Sequence, residues 1–413
     1  MYQAPRGTFD IFGSEYLLRQ DVIDTLFDVV SLYGFSPIMT PIFEEEELFI
    51  RSVGDSSDIV NKEIYQFNDK KGRKLALRPE LTAPIMRSYI ENKMYAQHPF
   101  KRLCYYGPNF RYERPQAGRF RQFYQFGVES IGYKDANYDA QIILMALHIL
   151  YQLNITSTVL HINTLGNSDE RKAYNQALKD YFSQYQDHLC SDCQNRINNN
   201  PLRILDCKVD GASDIINNAP QLKDFLGEES LNYYQTIKDI LDTYNIKYVD
   251  DPSLVRGLDY YNDIVFEIKD DADQAKNTLI GGGRYDHLCS ELGGPEMPSI
   301  GFAIGIERLV DTIKRNQENI LDEYKTEVDV YFSVSNQEER NQAYPLMLQL
   351  RDGLIVDCNY SDRSYKKNLQ TAIKLNAMYL VSFNEDKLII RNLETKEEQE
   401  IDIKDFNSEI FNN

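Results

Sequence analysis

The segment from Arg119 to Glu129, which reads RFRQFYQFGVE, constrains the fold of this chain more than any other part of the sequence. Side chains of a β-strand point alternately to the two faces of a sheet, with a period of two residues. The odd positions therefore share one face, and most of them are charged, amidic or aromatic: Arg119, Arg121, Phe123, Gln125 and Glu129. The even positions are mostly apolar and are expected to pack against a core: Phe120, Tyr124, Phe126 and Val128. The pattern predicts a strand with one binding face and one core face.

A second strand with the same division precedes this one. Arg111 and Glu113 alternate with Phe110 and Tyr112, and Gly118 suits the turn between the two strands. Mixed arginine and glutamate on a single strand usually form a solvated face with paired charges. The combination of a glutamine, a phenylalanine and fixed guanidinium groups suits a phosphate and a planar base better than it suits water. From these residues alone, the sequence predicts an anion-binding enzyme.

The rest of the chain falls into regions of different periodicity. Before the predicted strands, a helix ending near Gly34 is expected, because apolar residues recur at helical spacing: Val22, Leu26, Val29, Val30 and Tyr33. Residues from about 167 to 245 are polar and helical in pattern, and one apolar stripe runs through Leu231, Tyr234, Ile237, Leu241 and Tyr244. Strand patterns resume at Tyr248. Beyond Tyr324, apolar strands alternate with helical stretches, which predicts a small α/β domain.

Composition limits the partners and the compartment. A chain of 413 residues, 42 % hydrophobic and 26 % charged, is long enough for two or three globular domains. The formal net charge of −19 argues against binding nucleic acid through a general positive field, so an RNA ligand would require basic side chains concentrated in local patches. Neither a signal peptide nor a long apolar segment is evident, so we expect a cytoplasmic protein without a membrane partner.

The six cysteines lack the dense, even spacing of a disulfide framework. Cys190 and Cys193, together with Cys207 and His188, allow a zinc interpretation, because four such ligands can close a tetrahedral site. A second matching cysteine pair is missing, so ordinary cysteines in the inserted region are the favoured interpretation. The remaining cysteines are expected to be small core residues: Cys104, Cys289 and Cys358.

Two further clusters place arginine and tyrosine beside glycine, at residues 254–261 and 281–286. Glycine permits a ligand to approach the backbone closely, although glycine triplets are more often turns or bulges. The tyrosines suit either a ligand site or a core in which their hydroxyl groups are satisfied. The glycine runs therefore leave both interpretations open.

Five ordered motifs, which together cover nearly the whole chain, resemble those of the histidyl-tRNA synthetase family of class II aminoacyl-tRNA synthetases. Three resemble the class II motifs 1, 2 and 3, and they are Gly34–Pro41 with Glu44, Phe110–Glu129, and Gly301–Leu309. Two resemble the histidine-specific signatures, and they are Arg256–Tyr261 and Gly282–Asp286. The sequence departs from many bacterial relatives at Leu81, where glycine is common, and at Tyr124, where histidine or asparagine is common. Neither departure removes a catalytic group.

The resemblance implies an α+β fold, in which the class II antiparallel sheet is flanked by helices. It implies a catalytic domain at residues 1–325 with a helical insertion at about 167–245, and an α/β anticodon-binding domain at 326–413. The implied activity is the activation of L-histidine with ATP to histidyl-adenylate and pyrophosphate, followed by transfer of histidine to its cognate tRNA. A homodimer with motif 1 at the interface is also implied, and the apolar face of the first helix with Phe35 and Ile42 is consistent with it.

For the amino acid, the resemblance implies a role for individual residues. Glu129 and Tyr261 would bind the imidazole, Glu80 and Thr82 the α-amino group, and Gln125 the carboxylate. Tyr260 and Tyr285 would complete the walls. The full set expected to contact histidine is Glu80, Leu81, Thr82, Arg111, Gln125, Glu129, Arg256, Tyr260, Tyr261 and Tyr285.

For the nucleotide, the resemblance implies binding by Arg111, Glu113, Arg121, Phe123 and Arg308. Glu113 would accept from the adenine amino group, Phe123 would stack on the ring, Arg121 would help with the outer phosphates, and Arg308 would cover the other face of the ring or reach the γ-phosphate. Arg111 and Arg256 are the expected catalytic residues, because both would reach the α-phosphate. Arg114 and Gln116 would touch the tRNA acceptor end. The nucleotide would carry Mg²⁺, so no dedicated metal site is predicted.

Two other functions fit parts of this pattern. A catalytically silent paralogue that regulates a histidine-biosynthetic enzyme would share the fold, but the presence of Arg111, Arg256 and Arg308 and of a C-terminal domain argues against it. A class II synthetase or amide-forming ligase for another amino acid would share the motifs, but a change at Glu129 or Tyr261 would then be expected.

Overall fold

The computed structural model describes residues 2–53, 63–98, 100–113, 119–205, 207, 209–211, 213–255, 260–272, 278–325 and 328–411. The chain divides into two compact units, Met1–Ile320 and Leu321–Asn413. The short helix α12 (Ile320–Glu323) contains the point of division. Each unit has its own sheet and its own core.

The main sheet of the first unit has eight strands in the described part of the chain, in the order β1-β5-β6-β11-β10-β9-β7-β8. A smaller sheet has the order β2-β4-β3. The strands are β1 Ser36–Pro37, β2 Phe43–Glu45, β3 Tyr65–Asn68, β4 Lys74–Leu77, β5 Lys101–Phe110, β6 Gln122–Ile131, β7 Thr158–Thr164, β8 Tyr248–Asp250, β9 Asn262–Asp270, β10 Thr278–Arg284 and β11 Ser299–Gly305. Pairing is antiparallel from β5 through to β7, and parallel at the two edges.

Helices cover this unit, and they are α1 Ser14–Leu32, α2 Glu46–Val53, α3 Thr82–Glu91, α4 Met94–Gln97, α5 Ala136–Gln152, α6 Ser168–Ser183, α7 Ser191–Asn199, α8 Asp214–Asn217, α9 Glu228–Thr243, α10 Leu288–Glu291 and α11 Ile306–Asn316. The expected α+β class, a mainly antiparallel sheet flanked by helices, is therefore confirmed. No helix in the described ranges combines the length and the apolar character needed to cross a membrane.

Helix α1 forms where the apolar spacing predicted it. Its buried residues include Val22, Leu26, Val29 and Val30, and Gly34 follows with φ +77°, a left-handed conformation that glycine adopts at low cost. Phe35, however, is 5 % exposed and belongs to the core of its own chain. Its expected contribution to a dimer surface was therefore wrong, because the residue packs inside the unit, whereas Ile42 is exposed.

The hairpin β5–β6 is present, but β6 begins at Gln122 and not at Arg119. The reason lies in the backbone, because the Arg121 amide donates to the Gly7 carbonyl at 2.8 Å, while the Arg121 carbonyl accepts from the Arg111 amide at 2.9 Å. Within β6 the expected division holds, since Phe126 and Val128 are fully buried and Gln125 lines a cavity on the opposite face.

Helices α6 to α9 lie between β7 and β8 in the sequence, in the region predicted as an insertion. Their core includes Leu178, Phe182, Cys193, Ile197 and Ile204. In the apolar stripe of α9, the three central residues Tyr234, Ile237 and Leu241 are buried. The two ends of the stripe were predicted wrongly, because Leu231 and Tyr244 are exposed.

The second unit has one sheet in the described residues, with the order β13-β12-β14-β15-β16. Its strands are β12 Val330–Ser333, β13 Val356–Cys358, β14 Tyr379–Asn384, β15 Lys387–Asn392 and β16 Glu398–Asp402, and its helices are α13 Gln337–Leu350 and α14 Tyr365–Lys374. The first three strands are parallel, as expected for an α/β domain, and β15 and β16 extend the sheet as antiparallel strands. The sequence analysis did not anticipate these last two strands.

Candidate active site

A cavity of about 470 Å³ opens on the polar face of the main sheet. Strands β5, β6, β10 and β11 supply its floor, and the segment before α3 closes one side. The following predicted site residues line it: Glu80, Leu81, Thr82, Arg111, Glu113, Phe123, Gln125, Glu129, Tyr260, Tyr261, Tyr285 and Arg308. Arg121 is not among the lining residues. Arg256, Arg114 and Gln116 lie outside the described residues.

The Glu129 carboxylate lies at the bottom of the cavity and is 2 % exposed. It accepts hydrogen bonds from the hydroxyl groups of Thr82 (2.7 Å), Tyr105 (3.0 Å) and Tyr285. Burial raises the pKa of Glu129 to about 7, although these hydrogen bonds favour the ionised form and oppose the effect of burial. A carboxyl group with this pKa can accept or donate a proton near neutral pH.

Space for Glu129 comes from Gly301 on the neighbouring strand β11. The two residues are directly paired across β6 and β11. A Cβ atom on residue 301 would collide with the Glu129 carboxylate and with the Val128 carbonyl oxygen. Glycine is thus required here because the carboxylate crosses over the backbone of β11.

Glu80 is the second buried carboxylate of the cavity. Its oxygens accept from the backbone amides of Thr82 (2.6 Å) and Ala83 (2.9 Å) at the start of α3, where unpaired helix amides favour negative charge. Burial nevertheless raises the pKa of Glu80. Within the described part of the chain, neither Glu80 nor Glu129 forms an ion pair, so this end of the cavity carries acidic groups bound only by neutral donors.

Four tyrosines surround these carboxylates. The ring centroids of Tyr260 and Tyr261 are 4.8 Å apart, and those of Tyr260 and Tyr285 are 5.5 Å apart. Burial raises the pKa of Tyr105, Tyr260 and Tyr285 well above its usual value, so their hydroxyl groups remain proton donors at neutral pH. The fourth wall residue, Tyr105, was not identified from the sequence.

The strand register of the β5–β6 hairpin explains why Tyr105 lies in the cavity. Residues directly opposite each other in a sheet share a face, and Tyr105 pairs with Gly127 on β6. A Cβ atom at position 127 would collide with the Tyr105 hydroxyl, so glycine allows the ring to extend over β6 towards Glu129. The same register brings Asn109 beside Phe123, and the Asn109 amide donates to Gln125 at 2.6 Å.

Guanidinium groups are gathered at the other end of the cavity. Arg111 donates to the Pro79 carbonyl (2.9 Å) and lies 5.2 Å from the centroid of the Phe123 ring. Arg308 donates to the Thr278 carbonyl (3.0 Å), and burial lowers its pKa, with further lowering by the nearby Arg119. Repulsion of this kind between arginines favours an anionic ligand.

Glu113 and Arg121 lie at the edge of this arginine-rich end. Glu113 accepts from Arg119 at 3.1 Å. The Arg121 guanidinium lies 4.0 Å from the centroid of the Tyr112 ring, and its Nε donates to the Glu113 carbonyl at 3.4 Å. In this conformation Arg121 faces Tyr112 rather than the cavity.

Two further residues near the cavity were missed by the sequence analysis. Arg203, from the inserted helices, is among the lining residues. Glu307, at the start of α11, accepts from the Tyr124 amide (3.1 Å) and from the Arg19 guanidinium (2.7 Å), and thereby ties β6, α11 and α1 together. Arg203 comes to the cavity from the inserted region, which no local pattern reveals, whereas Glu307 lies in the motif 3 segment beside Arg308 but was given no role.

The sheet, with residues of motifs 2 and 3 brought around one cavity, defines a class II aminoacyl-tRNA synthetase. A family model described as histidyl-tRNA synthetase matches residues 7–309. The chain belongs to the histidyl-tRNA synthetase family.

Individual relatives agree with this assignment. A histidine–tRNA ligase of Geobacillus sp. (strain WCH70) is 45 % identical over 410 residues, which cover 97 % of this chain and 96 % of the relative. The solved apo structure of histidyl-tRNA synthetase from S. aureus has a TM-score of 0.82 at 35 % identity, with 100 % of both chains covered. A structure from Bacillus halodurans, named as an ATP phosphoribosyltransferase regulatory subunit/histidyl-tRNA synthetase, has a TM-score of 0.65 at 22 % identity and shares the fold; it covers 92 % of this chain and 98 % of its own.

Proposed function

We propose that this protein activates L-histidine with ATP to histidyl-adenylate and pyrophosphate and then transfers histidine to its cognate tRNA. The observation that carries the proposal is the division of one cavity into an acidic end around Glu129 and Glu80 and an arginine-rich end around Arg111 and Arg308. An amino acid with an ammonium group and an imidazole fits the first end. A nucleotide triphosphate fits the second.

At the acidic end, Glu129 and Tyr261 bind the imidazole of histidine, and Glu80 and Thr82 bind its α-amino group. Gln125 contacts the carboxylate, while Leu81, Tyr260 and Tyr285 complete the walls. The support for these roles is that all of these residues line one cavity and that Glu80 and Glu129 meet only neutral donors in the described residues. A site that leaves its polar groups unpaired when the wrong ligand enters rejects that ligand strongly.

At the arginine-rich end, Phe123 stacks on the adenine ring, Glu113 accepts from its amino group, and Arg308 contacts the ring or the γ-phosphate. Arg121 assists with the outer phosphates after turning away from Tyr112. The nearness of Arg111 to the Phe123 ring supports this arrangement, because it aligns a guanidinium group with the expected path of the phosphates. ATP enters as its Mg²⁺ complex, so the metal arrives as part of the substrate.

The reaction itself needs positioning and positive charge. An oxygen of the histidine carboxylate, which is already ionised at neutral pH, forms a bond to the α-phosphorus, and the bond from that phosphorus to pyrophosphate breaks. No enzymatic base is required for this step. Arg111 and Arg256 supply the fixed positive charge that stabilises the in-line transition state.

Transfer to tRNA requires local positive surfaces on an acidic chain of net charge −19. Arg114 and Gln116 of the motif 2 loop contact the acceptor end. In the second unit, which we propose as the anticodon-binding domain, four basic residues are exposed in and beside α14: Arg363, Lys366, Lys367 and Lys374. This patch supports anticodon contact by a local surface in place of a general field.

We also propose that the protein is a cytoplasmic homodimer. Exposed apolar side chains of the first unit support the dimer: Met39 and Ile42 follow one another closely in the chain, and the exposed rings of Phe43 and Phe67 are 6.1 Å apart. Isolated exposed apolar residues are ordinary, but a group of this kind next to the motif 1 segment is suited to an interface.

The direct test is exchange of labelled pyrophosphate into ATP without tRNA, run with histidine and with each other standard amino acid. We expect exchange with histidine alone, and its loss in Arg256→Ala. No exchange, while histidine still raises the melting temperature, would identify a regulatory paralogue. Exchange with a different amino acid would retain the class and overturn the substrate.

A further inference from the structure

Four potential metal ligands converge in the inserted helices, far along the chain from the class motifs. They are the thiols of Cys190, Cys193 and Cys207 and the carboxylate of Asp210, and their ligand atoms all lie within 4.8 Å of one another. Cys193 and Cys207 are buried, while Cys190 and Asp210 are half-buried. We refer to these four residues as the thiol cluster. His188, considered with the cysteines in the sequence, is not part of it.

The spacing of the ligand atoms matches a tetrahedral site. Zinc binds thiolate sulfur at about 2.3 Å, so two sulfur ligands of a tetrahedral zinc lie about 3.8 Å apart. The Sγ atoms of Cys190 and Cys207 are separated by 3.8 Å, and Cys207 Sγ lies 3.8 Å from Asp210 Oδ2. A disulfide would require a sulfur separation of about 2.05 Å. The cluster therefore has the dimensions of a metal site and not those of a closed disulfide.

The backbone around Cys207 is arranged to stabilise a thiolate. Its Sγ accepts from the amides of Val209 and Asp210, each at 3.4 Å. The amide of Gly211 donates to the Cys207 carbonyl at 2.7 Å, and a Cβ atom at Gly211 would collide with that same oxygen. Hydrogen bonds to the charged form favour it, and metal ligands are typically held by such outer contacts.

Asp210 also has an ordered position. Its Oδ2 atom accepts from the Cys190 amide at 3.0 Å, immediately before helix α7 begins. In the described residues no ion pair is formed by Asp210. A carboxylate that lies among three thiols, with no ion-pair partner in the described part of the chain, is the environment that a divalent cation would neutralise.

The other cysteines provide a contrast within the same chain. Cys289 belongs to an apolar core in the first unit, and Cys358 to an apolar core in the second. Each of these clusters contains a single cysteine. The thiol cluster is therefore more than the ordinary burial of cysteine.

We infer that the thiol cluster binds one structural zinc ion, with three thiolates and one carboxylate as ligands. Two pairs of equal spacing supply them, Cys190 with Cys193 and Cys207 with Asp210. The cysteines alone do not form a second pair with this spacing. Asp210, three residues after Cys207, completes it. Four protein ligands leave no open position, which is the property of a structural rather than a catalytic zinc site.

The zinc ion would close a loop that reaches the active-site cavity. Between the two ligand pairs lies the turn Pro201–Ile204, and its Arg203 lines the cavity. The Arg203 carbonyl accepts from Arg196 of α7 at 3.2 Å, which connects this turn to the helix that begins at the first ligand pair. Zinc would join both ends of this segment and hold Arg203 in position.

The test is the metal content of the full-length chain, produced without a metal-binding tag in zinc-supplemented medium and freed of loose metal on a sizing column. We expect inductively coupled plasma mass spectrometry to find about one zinc ion per chain. Cys207→Ser and Asp210→Asn should lose most of it, whereas the matched control Cys358→Ser, which alters a buried cysteine in the second unit, should keep it. Zinc that stays far below one ion per chain in the unaltered protein would overturn the inference.

Cobalt provides the readout of geometry. After zinc removal under reducing conditions and addition of Co²⁺, we expect the strong visible bands of a tetrahedral ion and near-ultraviolet thiolate charge transfer, both lost in Cys207→Ser. Weak bands of an octahedral ion, or a Cys190–Cys207 disulfide in freshly isolated protein, would contradict the site. Neither experiment uses histidine, ATP or tRNA, so its failure and the failure of the proposed function are distinguishable.

Discussion

Two of the groups of buried charged side chains in the first unit differ in how their charges are balanced. In the first group, Glu129 and Glu80 meet hydroxyl groups and backbone amides. In the second, Asp139 accepts from the Arg284 guanidinium at 2.8 Å and from the Tyr233 hydroxyl at 2.8 Å. Although burial lowers the pKa of Arg284, its hydrogen bonds to Asp139 outweigh this effect and raise it.

The second group continues through further ion pairs. Arg284 also binds Asp286 at 2.8 Å, and Lys134 joins Asp286 (3.1 Å) to Asp263 (2.6 Å). Cations and anions of the chain thus bind one another, and this network is closed. The carboxylates of the cavity are left for a ligand. Both groups are buried, so burial does not distinguish the binding site from the structural network. The difference is that the cavity carboxylates form no ion pair with the described residues, although the Arg111 charge acts on Glu80.

The largest expected effect comes from opening the closed network. Arg284→Met removes a fully buried cation and leaves Asp139 with the Tyr233 hydroxyl but without its cationic partner, so we expect the free energy of unfolding to fall by about 3–5 kcal/mol. Denaturant unfolding followed by circular dichroism measures it. The double variant Arg284→Met with Asp139→Leu is the control and should recover part of the loss. An unchanged midpoint in the single variant would contradict the structural role.

The matching change in the cavity should act on catalysis. Glu129→Gln removes the charge proposed to bind the imidazole, so kcat/KM for histidine in pyrophosphate exchange should fall by about 30-fold or more, equivalent to at least about 2 kcal/mol. The free energy of unfolding should not fall, because no cation of the described residues loses a partner. If Glu129→Gln lowered the free energy of unfolding as much as Arg284→Met does, the proposed difference between the two groups would be wrong.

The raised pKa of Glu129 predicts a pH dependence of stability. In the folded protein the pKa of Glu129 is about 7, so the carboxyl group keeps its proton up to about that pH. In the unfolded chain the pKa of a glutamate is about 4.3, and the proton is released near that pH. This contribution to stability is therefore greatest below the unfolded pKa and is lost as pH rises towards 7, with a total of about 4 kcal/mol. The difference in unfolding free energy between Glu129→Gln and the unaltered chain should grow in favour of the variant from pH 5 to pH 8. A constant difference would show that burial does not shift this group.

Tyr105→Phe should produce the smallest effect of the series. It removes one of the neutral donors to Glu129, which destabilises the ionised carboxylate and moves the pH dependence of histidine binding upward. We expect the KM for histidine to rise by up to about tenfold, equivalent to about 1.4 kcal/mol. Tyr106→Phe, one residue along and on the other face of β5, is the matched control and should leave the KM unchanged. Equal effects of both variants would point to a general disturbance of the strand.

Local periodicity predicted much of the fold. The apolar spacing of α1 and the alternation along β6 were sufficient, because each depends on neighbours within a few residues. The start of β6 was misplaced because the Arg121 amide pairs with Gly7, which no local pattern reveals. Strand β16 was missed because it is a polar strand at the edge of the sheet, which weakens the apolar signal, and the apolar run Leu388–Ile390 of β15 is too short to mark a strand by itself.

The candidate site was predicted less evenly. The family motifs indicated the cavity residues from Glu80 to Arg308, but Tyr105 and Arg203 come to the cavity through strand register and through the insertion. Tyr285 and its neighbour Arg284 further illustrate the limit of sequence reading. They are adjacent in one motif, yet the first lines the cavity and the second belongs to the closed network, because alternate residues face opposite sides.

The contact between Gly301 and Glu129 has a consequence for the evolution and redesign of amino-acid specificity. Because a Cβ atom at position 301 would strike the Val128 backbone carbonyl as well as the Glu129 carboxylate, shortening residue 129 cannot make room for a side chain at 301. A mutational path to a new substrate therefore cannot begin at position 301. A directed-evolution library should hold this glycine constant and vary Glu129, Tyr105 and Tyr285 instead.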